Sequence, residues 1–138
     1  MDFIDTSILV AAIITTERGH EACGHLLDSG HFGMYNHGVA ETFSTLTGGR
    51  QSLRLSPSLA VDVIEGDYLS DITITALTPA EMLRALRDAE NRGVRGGAVY
   101  DYLHLVAARK AKAARFYTLN LAHFLALRRE GDPDIIVP

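Results

Sequence analysis

The sequence predicts an α/β protein: a parallel sheet of about five short strands, flanked by helices on both faces. Short apolar runs alternate with stretches of helical period along the chain, and that order requires crossover connections between parallel neighbours. Ile72-Thr-Ile-Thr-Ala-Leu77 alternates with a period of two and is rich in branched side chains, which makes it the clearest strand. Thr78-Pro79-Ala80-Glu81 then joins a capping box to a first-turn proline, a strong helix start. No linker, repeat or low-complexity segment breaks residues 1–138, so the chain reads as a single domain.

The elements follow in order. Phe3-Ile4 is a buried strand running into the polar turn Asp5-Thr6-Ser7, and residues 8–14 are an almost wholly apolar helix capped by Thr6 or Ser7. Residues 17–27 form a second helix that Gly30 stops. Phe32–Tyr35 is the second strand, and Asn36 caps a helix through Val39, Glu41, Phe43 and Leu46 that ends at Gly48-Gly49. Ser56-Pro57 starts a helix continuing through residues 59–68. The capping-box helix runs from Pro79 to about Asn91, where Gly93 breaks it. After Gly96-Gly97, Leu103, Val106, Ala107 and Ala111 recur at helical spacing over residues 99–112, so that helix is largely buried. Residues 115–118 are a strand, Asn120 caps the helix Leu121–Leu127, and Asp132-Pro133 turns the chain into a last strand at 135–137.

An apolar fraction of 47% supports a real core and argues against disorder. The net charge of -4, from 17 acidic and 13 basic side chains, disfavours a general nucleic-acid coat, so any RNA or DNA contact uses a local patch. Cys23 is the sole cysteine, which excludes an internal disulfide and a cysteine-based zinc site; it is expected to pack as a small hydrophobe. Asp2 and Asp5 interrupt the first apolar run, and no run of about twenty apolar residues is present. These features point to a reduced, cytoplasmic setting.

Functional crevices in such sheets lie beyond the carboxyl ends of the strands. Asp5 directly ends the first strand, Glu41 lies early in the helix after the second, Asp101 begins the helix before the fourth, and Asn120 lies just past the fourth. All four are expected to converge. Two carboxylates about 5 Å apart at an effective dielectric near 20 repel by roughly 3 kcal/mol, so a cluster of three needs a cation or a retained proton. Oxygen donors suit Mg²⁺ or Mn²⁺ rather than zinc, one or two ions being consistent with the charge. A cation so placed activates water against a phosphodiester and stabilises the leaving oxygen.

Four segments, Phe3–Val10, Val39–Thr42, Gly97–Leu105 and Tyr117–Asn120, together resemble the PIN-domain family, and more narrowly the VapC-type ribonuclease toxins. The resemblance covers the whole chain in order and spacing. It implies a PIN-like fold, Mg²⁺- or Mn²⁺-dependent RNA cleavage, a homodimer and a cognate VapB-like antitoxin. By position it implies that Asp5, Glu41 and Asp101 hold or orient the metal, that Asn120 positions water, and that Thr6 and Thr118 support the acids. Asn120 falls where many members carry aspartate, and His123 where many carry a further acid. An imidazole does not replace a carboxylate for Mg²⁺ but contacts phosphate when protonated.

Arg109, Lys110, Lys112 and Arg115 form the densest basic cluster, and Arg50, Arg54, Arg92 and Arg95 flank loops. Each set reads either as a solvated surface or as an RNA backbone track. His104 shares a helix face with Asp101, and is either a partly buried structural side chain or a contact to the carboxylate or RNA. His37 precedes Glu41 by one turn. Tyr35, Tyr100 and Tyr102 either pack in the core or stack on bases. Leu53, Leu55, Leu59, Val63 and Ile64 exceed what one helix face needs and suggest a groove for a partner helix. A receiver-like domain would need a lysine past a late strand, where Arg115 instead precedes it; a dehalogenase-like phosphatase would need an acid at Ser7. The remaining alternative is a partner-binding module with weak or no nuclease activity.

Overall fold

The computed structural model describes residues 1–48 and 54–138, so Gly49, Arg50 and Leu53 lie outside the described residues. Five strands, β1 (Asp2–Ile4), β2 (Phe32–Tyr35), β3 (Ile72–Thr75), β4 (Arg115–Tyr117) and β5 (Asp134–Ile136), pair in the order β3-β2-β1-β4-β5, and every pair is parallel. Among the described residues the α-helices are α1 (Thr6–Ile13), α2 (His20–Asp28), α3 (Asn36–Thr47), α4 (Pro57–Val63), α5 (Pro79–Asp88), α6 (Ala98–Lys110) and α7 (Leu121–Leu127).

Consecutive strand residues point to opposite faces, and β1 supplies one large side chain to each. Phe3 joins a cluster with Ala85, Leu103, Leu105 and Phe124 from α5, α6 and α7, while Ile4 joins Ile8, Leu9 and Cys23 from α1 and α2. Helices therefore cover both faces, as the alternating pattern requires. Phe3 stacks on Phe116 of β4, and Phe116 meets Phe124 with ring centroids 4.7 Å apart. Gly33 pairs with Phe3, and a Cβ there would lie 2.5 Å from the Phe3 ring. Cys23 is buried as expected, and burial, with the Asp5 charge nearby, pushes its thiol up to about 11.

Several boundaries and caps differ from expectation. Asp5, not Thr6 or Ser7, caps α1, accepting from the Ser7 and Ile8 amides. Asn36 is already helical, and Tyr35 holds the cap position without a side-chain bond. Asn120 occupies the cap position of α7 but makes no capping hydrogen bond. The second helix starts at His20, behind a left-handed Gly19. The helix after Pro57 stops at Val63 and passes through a wide turn, Ile64–Tyr68, before reaching β3; Gly66 lies within that turn, where a glycine weakens regular helix. Strand β3 ends at Thr75 rather than Leu77. The Ser56 cap and the Thr78–Glu81 capping box form as the sequence indicates, whereas α5 stops at Asp88 and a 3-10 turn over Glu90–Arg92 precedes the left-handed Gly93.

Strand order reverses at β1, which lies between β2 and β4. The chain builds outward from β1 to β3 on one side and returns to β4 on the other, so the crevice belongs beyond the carboxyl ends of β1 and β4. Asp5 follows β1 and Thr118 follows β4, and the Asp5 amide donates to the Tyr117 carbonyl at 3.2 Å.

Candidate active site

Asp5 is 3% exposed at this switch point. Its Oδ1 accepts from the Ser7 amide at 3.0 Å and from the Ser7 hydroxyl, while Oδ2 accepts from the Thr118 hydroxyl at 2.7 Å. Ser7 Oγ also accepts the Leu119 amide, and Thr118 Oγ1 accepts the Asn120 amide at 2.9 Å. The loop after β4 is thus tied to the start of α1 through a single carboxylate. Burial pushes the Asp5 pKa up, against the hydrogen bonds from Ser7 and Thr118, the nearby His104 and the Ile8 amide.

Glu41 enters from the second turn of α3. The Thr6 hydroxyl donates to its Oε2 at 2.8 Å, and His104 Nε2 lies 3.3 Å and His37 Nε2 3.5 Å from its Oε1. Burial opposes ionisation, but the hydrogen bond and charge of His104, with Thr6 and His37, outweigh it and hold the Glu41 pKa below its ordinary value. The two acids are therefore shifted in opposite directions by adjacent environments. His104 is 1% exposed and turned onto Glu41. With Nε2 turned to Glu41, its Nδ1 is the buried side-chain polar atom without a hydrogen-bond partner among the described residues.

Close packing of α3 makes this contact possible. A Cβ at Gly38 would lie 2.5 Å from Met34 Cε, 3.0 Å from His104 Cε1 and 3.3 Å from Thr6 Oγ1. Gly38→Ala is therefore expected to force apart the groups that hold Glu41. The overpacking cost of about 1–3 kcal/mol exceeds the helix-propensity gain of about 1 kcal/mol. A lower urea midpoint is the expected result, and an unchanged midpoint would show that Met34 and His104 yield freely.

Asp101 lies in the first turn of α6, where the helix dipole favours its charge. Its Oδ2 accepts from His123 Nδ1 at 2.7 Å. Asn120 lines a cleft of about 830 Å³ with Thr6, Ser7, Glu41, Thr45, Glu17 and Arg18, among others. Ser7 and Arg18 were not singled out by the sequence. Ser7 read as an alternative helix cap, and Arg18 sits in the α1–α2 connection without a motif around it.

The donor set, carboxylate and hydroxyl oxygens, fits a hard divalent cation by its chemistry. Asp5 and Glu41 share the His104 neighbourhood, whereas Asp101 is engaged by His123. Among the described residues no three carboxylate, imidazole or thiol groups are gathered tightly enough to grip one ion. The expected convergence thus brings the residues to one end of the sheet without a closed ligand shell.

The basic residues lie elsewhere. Arg109 and Lys110 end α6, about 12 Å along the helix from Asp101 at 1.5 Å per residue. Lys110 binds the Ala76 carbonyl and Glu81, Arg109 lies 3.6 Å from Asp132, and Arg115 pairs with Asp2 at the opening of β1. Lys112 follows α6 in a left-handed conformation. Parallel strands put the openings of β1 and β4 opposite their carboxyl ends, so this cluster lies toward the end of the sheet away from the acids. Arg92, another candidate, is mostly buried against Asp132.

The fold is that of a PIN domain: the family model for the PIN domain matches residues 3–128, and the chain belongs to that family. Its relatives are VapC ribonuclease toxins of toxin–antitoxin systems. Ribonuclease VapC40 of Mycobacterium tuberculosis is 37% identical over 120 residues, covering 85% of this chain and 84% of the relative. Ribonuclease VapC27 of the same organism is 29% identical over 110 residues, covering 80% and 78%. Among solved structures, Mycobacterium tuberculosis VapC20, described as a sarcin-ricin loop cleaving toxin, shares the fold with a TM-score of 0.73 at 18% identity, over 96% of this chain and 100% of that one. VapBC2 from Rickettsia felis, bound to a promoter DNA fragment, shares it with a TM-score of 0.64 at 16% identity, over 99% and 97%. No described helix is long and apolar enough to cross a membrane.

Proposed function

We propose that this protein is a VapC-like endoribonuclease toxin that cleaves RNA phosphodiester bonds with Mg²⁺ or Mn²⁺ and is neutralised by a cognate antitoxin. The observation that carries the reading is the buried Asp5 carboxylate, held by Ser7 and Thr118 at the switch point beside a Glu41 held by Thr6 and His104. Burial disfavours charge on Asp5, and a cation is the partner that would reverse this. One or two divalent ions held by Asp5, Glu41 and Asp101 would supply the Lewis acidity that phosphodiester hydrolysis requires. Thr6, Thr118 and His104 fix the carboxylates, and the Asn120 amide, unused by the helix it precedes, is placed to orient a water or a phosphate oxygen.

The antitoxin reading draws on an apolar groove of about 500 Å³ between α3 and the α4 segment, lined by Val39, Ala40, Phe43, Val61, Ile64 and Leu69. Val61 in its lining and the neighbouring Leu59 are exposed, and the buried Ile64 forms its floor. An amphipathic antitoxin helix suits such a groove, and the proposal includes a homodimer of the toxin.

The test is cleavage of a cellular RNA pool by purified protein, freed of any co-purifying antitoxin, with Mg²⁺, with Mn²⁺ and with chelator, beside Glu41→Gln. Discrete cuts that need metal and weaken in the variant are expected. The partner-binding alternative draws on the Asp101–His123 pair, which already engages one Asp101 oxygen. Silence with both metals would favour it.

A further inference from the structure

We propose that Tyr100 and His37 form a stacking platform for a nucleobase of single-stranded RNA beside the acidic site; this rests on the ribonuclease reading above. The three tyrosines near the site have different surroundings. Tyr35 and Tyr102 are core residues, 5% and 2% exposed, while Tyr100 is 53% exposed. Tyr100 immediately precedes Asp101, and its ring lies on the His37 imidazole with centroids 5.3 Å apart and planes 12° apart. His37 is also exposed, and its Nε2 is 3.5 Å from Glu41 Oε1. One stacked, solvent-facing pair thus touches one active-site acid and adjoins another in the chain.

Charge gives this position its meaning. The chain carries a net charge of -4, the site is acidic, and the densest basic cluster lies toward the other end of the sheet. Phosphate attraction, which usually dominates nucleic-acid affinity, therefore draws there on Arg18 of the cleft and on bound cations rather than on a basic cluster. Base stacking supplies affinity without needing positive charge, and it tolerates any sequence because every base has a π face. Tyr100 is held flat by His37, so little rotamer freedom remains to be lost when a base extends the stack. Tyr35 packs at a tilt against His37, with ring centroids 6.2 Å apart, and buttresses the pair. A base on the outer face of Tyr100 brings its own phosphodiester to the end of the sheet that carries Glu41 and Asp101.

The chain has no tryptophan, so Tyr100→Trp places a single fluorophore on the platform. The full chain would be titrated in chelator with short single-stranded RNA homopolymers and with the same backbones lacking bases. Leu83→Trp, exposed on α5 near the Glu81–Lys110 contact at the far end of α6, serves as a remote reporter. Quenching of the tryptophan at position 100 by RNA, but not by abasic backbone, is expected, with the remote reporter unmoved. Tyr100→Phe should bind within about twofold of wild type. Tyr100→Ala should bind about 5- to 150-fold more weakly, the span of losing one base–aromatic stack, and should raise KM more than it lowers kcat when metal is present. If Tyr100→Ala does not fold, the phenylalanine and tryptophan variants carry the test. Wild-type binding by the alanine variant in a protein that still cuts RNA overturns the platform and leaves the ribonuclease reading standing. If wild type neither binds nor cuts, both fall. A change in oligomer mass with RNA affinity unaltered makes the surface a protein contact and also overturns the proposal.

Discussion

Asp5→Asn is expected to lower metal-dependent RNA cleavage by on the order of 10²–10³-fold, the loss typical of removing a group that stabilises transition-state charge, while leaving the fold at least as stable at neutral pH. The expectation of stability comes from the direction of the Asp5 shift. Burial raises its pKa in the folded protein above the ordinary 3.8. The native state therefore holds the proton more tightly than the unfolded chain, and stability falls as pH rises from about that ordinary value through the folded pKa. Above the folded pKa the full penalty of the buried charge persists. Asparagine removes it, and the Thr118 hydroxyl can turn to accept from the new amide. Glu41 contributes with the opposite sign, since its pKa is lowered, so stability it supplies is lost on acidification. Subtracting the melting midpoints of mutant and wild type, in chelator across acid to neutral pH, isolates Asp5. The mutant should gain on wild type as pH rises through the window. A mutant that melts well below wild type at neutral pH would mean that the hydrogen bonds to the carboxylate outweigh its desolvation.

Arg92→Ala is expected to be the most destabilising surface-to-core change, costing about 3–5 kcal/mol, as when one partner of a buried ion pair is removed. Arg92 Nη1 lies 2.5 Å from Asp132 Oδ2 and donates to the Leu127 carbonyl at 3.2 Å, Nε reaches Asp88 at 3.4 Å, and the guanidinium sits 5.4 Å from the centroid of the Tyr102 ring. The Asp132 side chain is 2% exposed. Without Arg92 it keeps the Arg129 amide and a longer contact to Arg109, at 3.6 Å. Neither replaces a close ion pair out of water. Urea denaturation measures the loss, and Arg92→Met combined with Asp132→Leu should recover most of it, because removing both charges leaves nothing uncompensated. RNA cleavage per folded molecule should not change in either protein. A loss under about 1 kcal/mol would show that water reaches Asp132 and takes over its solvation.

These two residues mark the boundary of what local pattern reveals. Asp5 was legible because it stands where an apolar strand meets a polar turn, and the alternation of elements fixes which end of the sheet that turn occupies. Arg92 was not. In the sequence it is one of several arginines flanking loops, and its partner lies forty positions away. His104 divides the same way: its helical spacing from Asp101 was visible, but its contact with Glu41 spans 63 residues.

The sequence by itself determined the parallel α/β order, the strong caps at Ser56 and Thr78, and the places of Asp5 at the end of β1, Glu41 early in α3 and Asp101 at the start of α6, because backbone propensity, capping and hydrophobic period are properties of neighbours along the chain. Only the tertiary structure decided which of these side chains touch. It turned Thr118 onto Asp5, set Thr6 and His104 on Glu41, drew Asp101 to His123, buried Tyr35 and Tyr102 while exposing Tyr100, and sent Arg109, Lys110 and Arg115 away from the acids. The physical reason is that a charge or hydroxyl finds its partner through the packing of sheet and helices, and in this fold those partners come from strands and helices far apart in the chain.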